Sequence, residues 1–315
     1  MQYFNMLISA LGQGAIYAPM ALGVFVAFRI LDTPDLTIDG SFVFGMTVCA
    51  IITVAGHPVL AIFAGILAGI LAGLVTGVLQ TTLRINPILS GILTMTGLYT
   101  INYMVLGGQS NLYLQSMEIN TSGVEAPVAS RTLYKIVALS GNNEVSALIL
   151  SGIIVVLTVF ILALFFKTKP GIAIRATGDN EEMVRSSSIN ADKTRTIGIM
   201  LANGLVGLSG AMLCQQQRYA DLGCGSGMLV VGLASVIIGQ ALFGKRGVTV
   251  GIVSAVIGSV IYRVILQAAY QINMPSYTVK LLSALIVTAA LVLPLIKEKT
   301  GTMRVRYAAE RGADK

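Results

Sequence analysis

The chain alternates long stretches that carry no charge with short polar breaks. Residues 1–28 precede the first charged side chain, Arg29, and residues 40–83 contain no Asp, Glu, Lys or Arg. About 20 apolar residues of helix cross a bilayer's hydrocarbon, so the 40–83 stretch holds two crossings, separated by the turn Gly56-His57-Pro58. Nine spans are expected along these lines, over residues 5–28, 36–55, 58–79, 87–106, 146–166, 197–217, 228–243, 248–269 and 276–296. The 228–243 segment is short and interrupted by Gly232 and Gly239, which predicts a partial or re-entrant helix. Residues 107–145 are polar with little periodicity and read as an extended loop.

The apolar runs are unbroken. They do not alternate with polar positions as barrel strands do, and hydrocarbon tolerates only helices or closed barrels. The predicted fold class is therefore all-α, a polytopic membrane bundle in a single domain, residues 1–315. Composition agrees, with 55% hydrophobic and 11% charged residues against about 25% charged in a soluble domain. Gly65, Gly69, Gly73 and Gly77 recur every fourth residue in the third span, a stripe on which another helix backbone can approach closely. The N-terminus, MQYFNMLISALGQG, has no basic region ahead of its apolar run, so the first span is expected to be retained rather than cleaved.

Charge sets the orientation. With nine spans and the C-terminus inside, Arg29, Arg84, Lys245, Arg246, the segment 167–195 and the tail 297–315 all face the cytoplasm, which accounts for 16 of the 21 Lys and Arg residues. The N-terminus and the 107–145 loop are then outside. Spans 1–4 and 6–9 enter the membrane in opposite senses around span 5, as an inverted repeat requires.

Catalytic signatures fail. Gly239 to Arg246 matches G-x-x-x-x-G-K but lacks the following Ser or Thr and closes a span instead of linking a strand to a helix. His57 is the only histidine, and Cys49, Cys214 and Cys224 have no metal spacing, so no metal site or cofactor is expected. The net charge of +7 follows membrane orientation and needs no nucleic-acid partner. Asp39 reads as a helix-entry residue, and Arg263 and Lys280 as snorkelling or outer-cavity residues. Thr94, Thr96, Asn102, Asn203, Ser209 and Gln240 are the uncharged polar residues in spans that could bond neighbouring helices or line a pathway.

The segment 167–195 holds six Lys or Arg and four Asp or Glu in 29 residues. Asp179 or Asn180 can cap a short helix, Asp179 with Glu182 has capping-box spacing, and Glu181 and Glu182 fall in its first turn. The helix is expected to end near Asn190, with Gly171 and Gly178 as flexible punctuation before it. Such a helix suits a cleft in a soluble partner; the competing reading is a solvated connector.

Three blocks carry a resemblance: GQGAIYAPMALGVFVAFRILDTPDLTIDGSFVFG (12–45), GIAIRATGDNEEMVRSSSINADKTRTIGIMLANGLVGLSGAM (171–212) and VVGLASVIIGQALFGKRGVTVGIVSAVIGSVIY (230–262). They resemble permease subunits of bacterial ABC importers of the branched-chain amino acid and ribose permease superfamily. The G-x-x-I-R-A-x-G-D-N run looks like that family's coupling segment, which implies ATPase contact at Arg175, Gly178, Asp179, Asn180, Glu181, Glu182 and Met183. The resemblance also implies a dimer of permeases, a cytoplasmic ABC ATPase dimer and an extracytoplasmic substrate-binding protein in the bacterial inner membrane. This chain would then not be an enzyme, since ATP hydrolysis would lie in the partner. The D-x-T-x-D-G-S form at 35–41 looks like the tryptophan/tyrosine subgroup, so an amino acid, aromatic in the favoured case, is the implied substrate. A stand-alone secondary transporter or channel remains the alternative reading, and a membrane scaffold a third.

Overall fold

Small residues decide which helices of this bundle touch. The computed structural model describes residues 2–119, 125–129, 132–136, 143–244 and 247–271, with a few helical positions between 281 and 292. Its membrane-length helices are α1 (Gln2–Phe25, extended by a π turn, Val26–Ile30), α2 (Thr37–Val54), α3 (Pro58–Thr81) and α4 (Pro87–Val105). A second group comprises α6 (Asn143–Phe165), α9 (Ala191–Gln217), α10 (Met228–Phe243) and α11 (Val248–Gln271). Eight of the expected spans are thus present as helices long and apolar enough to cross a membrane. The ninth, 276–296, and the tail lie almost wholly outside the described residues.

The helix α9 is the hub, with α1, α2 and α3 packed around it. The glycine stripe of α3 runs antiparallel along it. A Cβ on Gly69 would strike the Asn203 carbonyl, one on Gly73 would come within 2.7 Å of the Ile199 carbonyl, and one on Gly77 within 2.7 Å of Thr196. From α2, Gly45 meets Gly207, and the Phe42 carbonyl occupies the space beside Gly210. From α1, Gly23 packs on the Ala202 carbonyl. Lipid offers no hydrophobic drive between helices, so such backbone-to-backbone packing and interhelical hydrogen bonds must hold them.

Those hydrogen bonds converge on Asn203. Its Nδ2 donates to Asp35 Oδ2 at 2.6 Å, and its Oδ1 accepts from Ser41 Oγ at 2.6 Å. Asp35, fully buried, also accepts from the Thr37 amide at 2.9 Å, and the Thr37 and Thr76 hydroxyls lie 2.7 Å apart. One network therefore joins the α1–α2 break to α2, α3 and α9. Asn203 is twelve residues into α9, about 18 Å from its start, so α2 begins deep within the bundle.

The segment before α10 does the same from the other end. Gln215, near the end of α9, donates to Thr53 at 3.4 Å, whereas Asp39 accepts from Gly227 and Leu229 at 3.0 and 2.7 Å. Positions 39 and 53 are about 21 Å apart along α2. Residues 218–227 therefore run back along α2 before α10 begins, and α10, 16 residues and about 24 Å long, is short, as expected of a partial helix.

The 107–145 region, expected as an extended loop, carries short elements among its described residues. It contains β1 (Asn111–Tyr113), β2 (Gln115–Ile119), β3 (Glu125–Ala129) and the short α5 (Leu133–Ile136). The strand β1 pairs antiparallel with β4 (Tyr219–Asp221), Asn111 opposite Asp221, and β2 pairs with β3. Strands of three to five residues are too short to print a periodicity.

The segment 167–195 also differs. It forms α7 (Lys169–Asp179) and α8 (Glu181–Ser186), broken at Asn180. Asn180 is the cap, its Oδ1 accepting from the Met183 amide at 3.0 Å, while Asp179 is the last residue of α7, so the Asp179–Glu182 capping box does not form. Asn190 starts α9 by capping Lys193 instead of ending the preceding helix, and α9 opens six residues earlier than the span expected from 197. Gly171 and Gly178 sit inside α7, where the Phe165 and Ile30 carbonyls leave no room for a Cβ.

Replacing Gly69 by Ile is expected to lower stability by about 1–3 kcal/mol through overpacking, read as a fall in the thermal midpoint of purified protein. Gly97→Ala, where nothing lies within 4 Å of the added carbon, should shift stability by no more than about 0.5 kcal/mol. Asn203→Leu removes one side-chain donor to Asp35 and the acceptor of the Ser41 hydroxyl, and should cost about 2–3 kcal/mol in the same measurement.

Candidate functional site

A cavity of about 560 Å³ opens between α2, α4 and the segment leading into α10. Its wall includes Asp39, Met95, Thr96, Tyr99, Asn102 and Asp221. Asp39 projects from the first turn of α2, yet its carboxylate caps the N-terminus of α10, where two amides are free to donate and the helix dipole favours negative charge. Gly227, at φ +87°, supplies the left-handed backbone that brings those amides to it. Asn102 is buried and bridges to α2, accepting from Thr47 and donating to the Gly40 carbonyl, both at 3.4 Å. The cavity thus combines two carboxylates, an amide and hydroxyls with apolar and aromatic surface. That mixture suits a small solute with a polar head and an apolar or aromatic body.

Of the polar span residues singled out in the sequence, the cavity gathers Thr96 and Asn102. Thr94 donates to the Ser90 carbonyl within its own helix, and Ser209 donates to the Ile16 carbonyl at 2.7 Å, tying α9 to α1. Asn203 belongs to the Asp35 network. Gln240 lines a separate cavity of about 260 Å³ with Arg29, Arg175 and Asp179. The sequence pattern did not show Asp39 as a cap or Asp35 as the partner of Asn203, and did not single out Tyr99 or Asp221. The crowding of Asp32, Asp35 and Asp39 at a helix break was the available signal. Beside β1 and β4, the Tyr113 and Tyr219 rings lie 6.1 Å apart, and the Arg263 guanidinium sits 3.3 Å over the Tyr17 ring, which is stacked on Phe42. A cation–π contact of this kind lets a cationic side chain stay within the bundle. No group of His, Cys, Asp and Glu among the described residues has the arrangement to hold a metal ion.

At the opposite end of α9, α8 is anchored by buried Val184 and by an ion-pair network. Glu181 accepts from Arg185 at 2.7 Å and from Arg195 at 3.1 Å, and Arg185 also donates to Asp192 at 2.6 Å. The Glu181 hydrogen bond first, and then Asp192, hold the Arg185 guanidinium above its ordinary pKa. Because Arg195 and Asp192 belong to α9, this network fastens α8 to the base of the hub helix. Glu182 and Met183 face outward, Met183 with 54% of its surface exposed, alongside exposed Ile172 and Ile189. Gly178 lies against Ile30, and Arg175 and Asp179 face the α10–α11 turn across the smaller cavity.

Comparison with known proteins agrees with this architecture. Residues 6–291 match the family described as branched-chain amino acid transport system / permease component. The chain is 36% identical over 286 residues, 90% of each protein, to a protein named tyrosine transport system permease protein from Clostridioides difficile (strain R20291). It is 31% identical over 239 residues, 76% of this chain and 78% of the other, to an uncharacterised protein of Rickettsia prowazekii (strain Madrid E). The fold is similar to PsaBC from Streptococcus pneumoniae, solved in complex with Fab, with a TM-score of 0.51 at 13% identity over 91% of this chain and 90% of that one. A multi-pass helical bundle, matched to the family over nearly its whole length, this chain belongs to the branched-chain amino acid transport system permease component family.

Proposed function

We propose that this permease forms the translocation pathway of an ATP-driven importer for an amino acid, aromatic in the favoured case. The observation that carries the reading is the fastening of α8 to α9 through Glu181–Arg195 and Arg185–Asp192, with Met183 left facing outward. A cytoplasmic ABC ATPase dimer would dock on this surface, and its motion would pass through these ion pairs into the helix around which the bundle packs. The distribution of Lys and Arg supports a cytoplasmic α7–α8 end, hence an N-terminus and a β1–β4 end facing outward. A second permease copy would complete the pathway, and an extracytoplasmic binding protein would deliver the solute to the β1–β4 end. The relative named for tyrosine transport supports the amino-acid class. The cavity beside Tyr99 and Asp39 has surface for both an aromatic ring and a charged head group.

Met183→Asp puts a charge in the docking surface without touching the packing of α8. It is expected to cut ATP-dependent uptake in proteoliposomes by about tenfold or more, equivalent to at least about 1.4 kcal/mol, with insertion and thermal midpoint unchanged. Full coupling in this variant would remove α8 as the docking element. Thr96→Trp narrows the cavity and should cut uptake sharply while ATP hydrolysis by the assembled complex persists. Uptake by the permease alone, driven by an ion gradient, would instead establish a secondary transporter.

A further inference from the structure

A third cavity, about 490 Å³, lies at the α7–α8 end between the α3–α4 turn and the start of α9. Gln80 lines it from the end of α3, Arg84 from the turn, and Arg185, Arg195, Glu181 and Asp192 from α8 and α9. Gln80 is 6% exposed, yet neither its Nε2 nor its Oε1 has a hydrogen-bond partner. A buried amide left wholly unpaired is costly, and both its donor and its acceptor are open. Arg185 and Arg195 are committed to Glu181 and Asp192, but Arg84 makes no ion pair among the described residues. Three arginines against two carboxylates leave the lining with one net positive charge. The cavity therefore lacks one negative charge, an acceptor for the Gln80 amide and a donor to its carbonyl.

We infer that this cavity binds a hydroxyl-bearing phosphate group, supplied by an anionic phospholipid headgroup such as phosphatidylglycerol. A phosphodiester brings a single negative charge and acceptor oxygens for Arg84 and the Gln80 Nε2, and a headgroup hydroxyl donates to the Gln80 Oε1. The bilayer is the source because the rim is apolar: Leu83, Ile88 and Leu89, around the same turn, are 61%, 48% and 51% exposed. A basic pocket between membrane helices at the charged end of a bundle meets headgroups at that depth. The proposal rests on reading this end as the cytoplasmic one. An occupied site would hold the end of α3 and the turn after it to the membrane surface, beside the Arg185 ion pairs of α8.

The test uses the full-length permease in nanodiscs of phosphatidylcholine with and without phosphatidylglycerol, reading lipids retained by native mass spectrometry and the thermal midpoint. The wild type should retain the anionic lipid preferentially and melt higher in its presence. Arg84→Gln, at an exposed position, should cut the preference about fivefold, the effect of one basic side chain near a charged surface. Gln80→Met keeps the volume, removes the amide and should also reduce retention. Lys193→Gln, exposed on the same end but outside the cavity lining, should leave retention within about twofold. Glycerol phosphate stabilising the protein in phosphatidylcholine discs, with the same dependence on Arg84, would support the phosphate site while assigning its ligand to solution. Equal retention of both lipids by the wild type would overturn the proposal. So would losses in Arg84→Gln and Gln80→Met no larger than in Lys193→Gln. Uptake is not read, so failure here leaves the importer reading standing, and failure of coupling leaves this one.

Discussion

Contact between backbones, without side chains in between, is the constraint on which this bundle depends. The helix α9 meets α1, α2 and α3 at glycines on one or both partners, and the approach is close enough that a methyl group at Gly69 or Gly210 would collide with a carbonyl oxygen. In hydrocarbon, burying apolar side chains against one another gains little over burying them in lipid. Close approach gains dispersion contacts instead, and it brings the polar groups of Asn203, Ser41 and Asp35 within reach of each other. The polar network and the glycine stripe are then one device: the glycines admit the backbones, and the network fixes their register.

Two interrupted helices follow from it. The break after α1 carries Asp35 into the interior, and the break after α9 carries Gly227 back to meet Asp39. Such non-helical backbone is tolerated at depth only where protein satisfies it. Here Asp35 accepts the Thr37 amide and Asp39 accepts two amides of the α10 start. The β1–β4 ladder closes the start of the second excursion, and the 560 Å³ cavity lies between the first turns of α2, the helix α4 and the segment 221–226. Short, interrupted spans in corresponding places of the two halves are what an inverted repeat produces around a binding region.

Much of this was legible in order along the chain and little of it across the chain. The eight described spans, the short α10 and the glycine stripe of α3 all follow from hydropathy and spacing, because each is a property of one segment. The partner of the stripe was not legible, since any helix with a thin face would serve. Asp39 read as an entry residue for its own helix, although the helix it caps begins 189 positions later; that pairing exists only once the backbone folds back along α2. At 179–180 two good capping residues stand side by side. The choice falls to Asn180 because α7 continues through Asp179, as Gly178 allows by fitting against Ile30. The three-residue strands β1 and β4 left no pattern to read, and their pairing joins segments a hundred residues apart.

The contact of Gly178 with Ile30 has a mechanical consequence. The segment 167–195 touches the bundle at two kinds of joint. At the Glu181–Arg195 joint, long side chains meet through ion pairs and can reorient, which gives the joint compliance. At the Gly178–Ile30 joint, backbone meets backbone at the π turn that ends α1, and no rotamer exists to take up slack. A displacement of α7 would therefore reach the end of α1 through backbone alone, beside the break that holds Asp35, whereas the same displacement of α8 would reach α9 partly through ion pairs that can reorient. The segment is in this sense a crank with one stiff and one elastic arm, and the stiff arm ends next to the polar network that sets the register of the bundle.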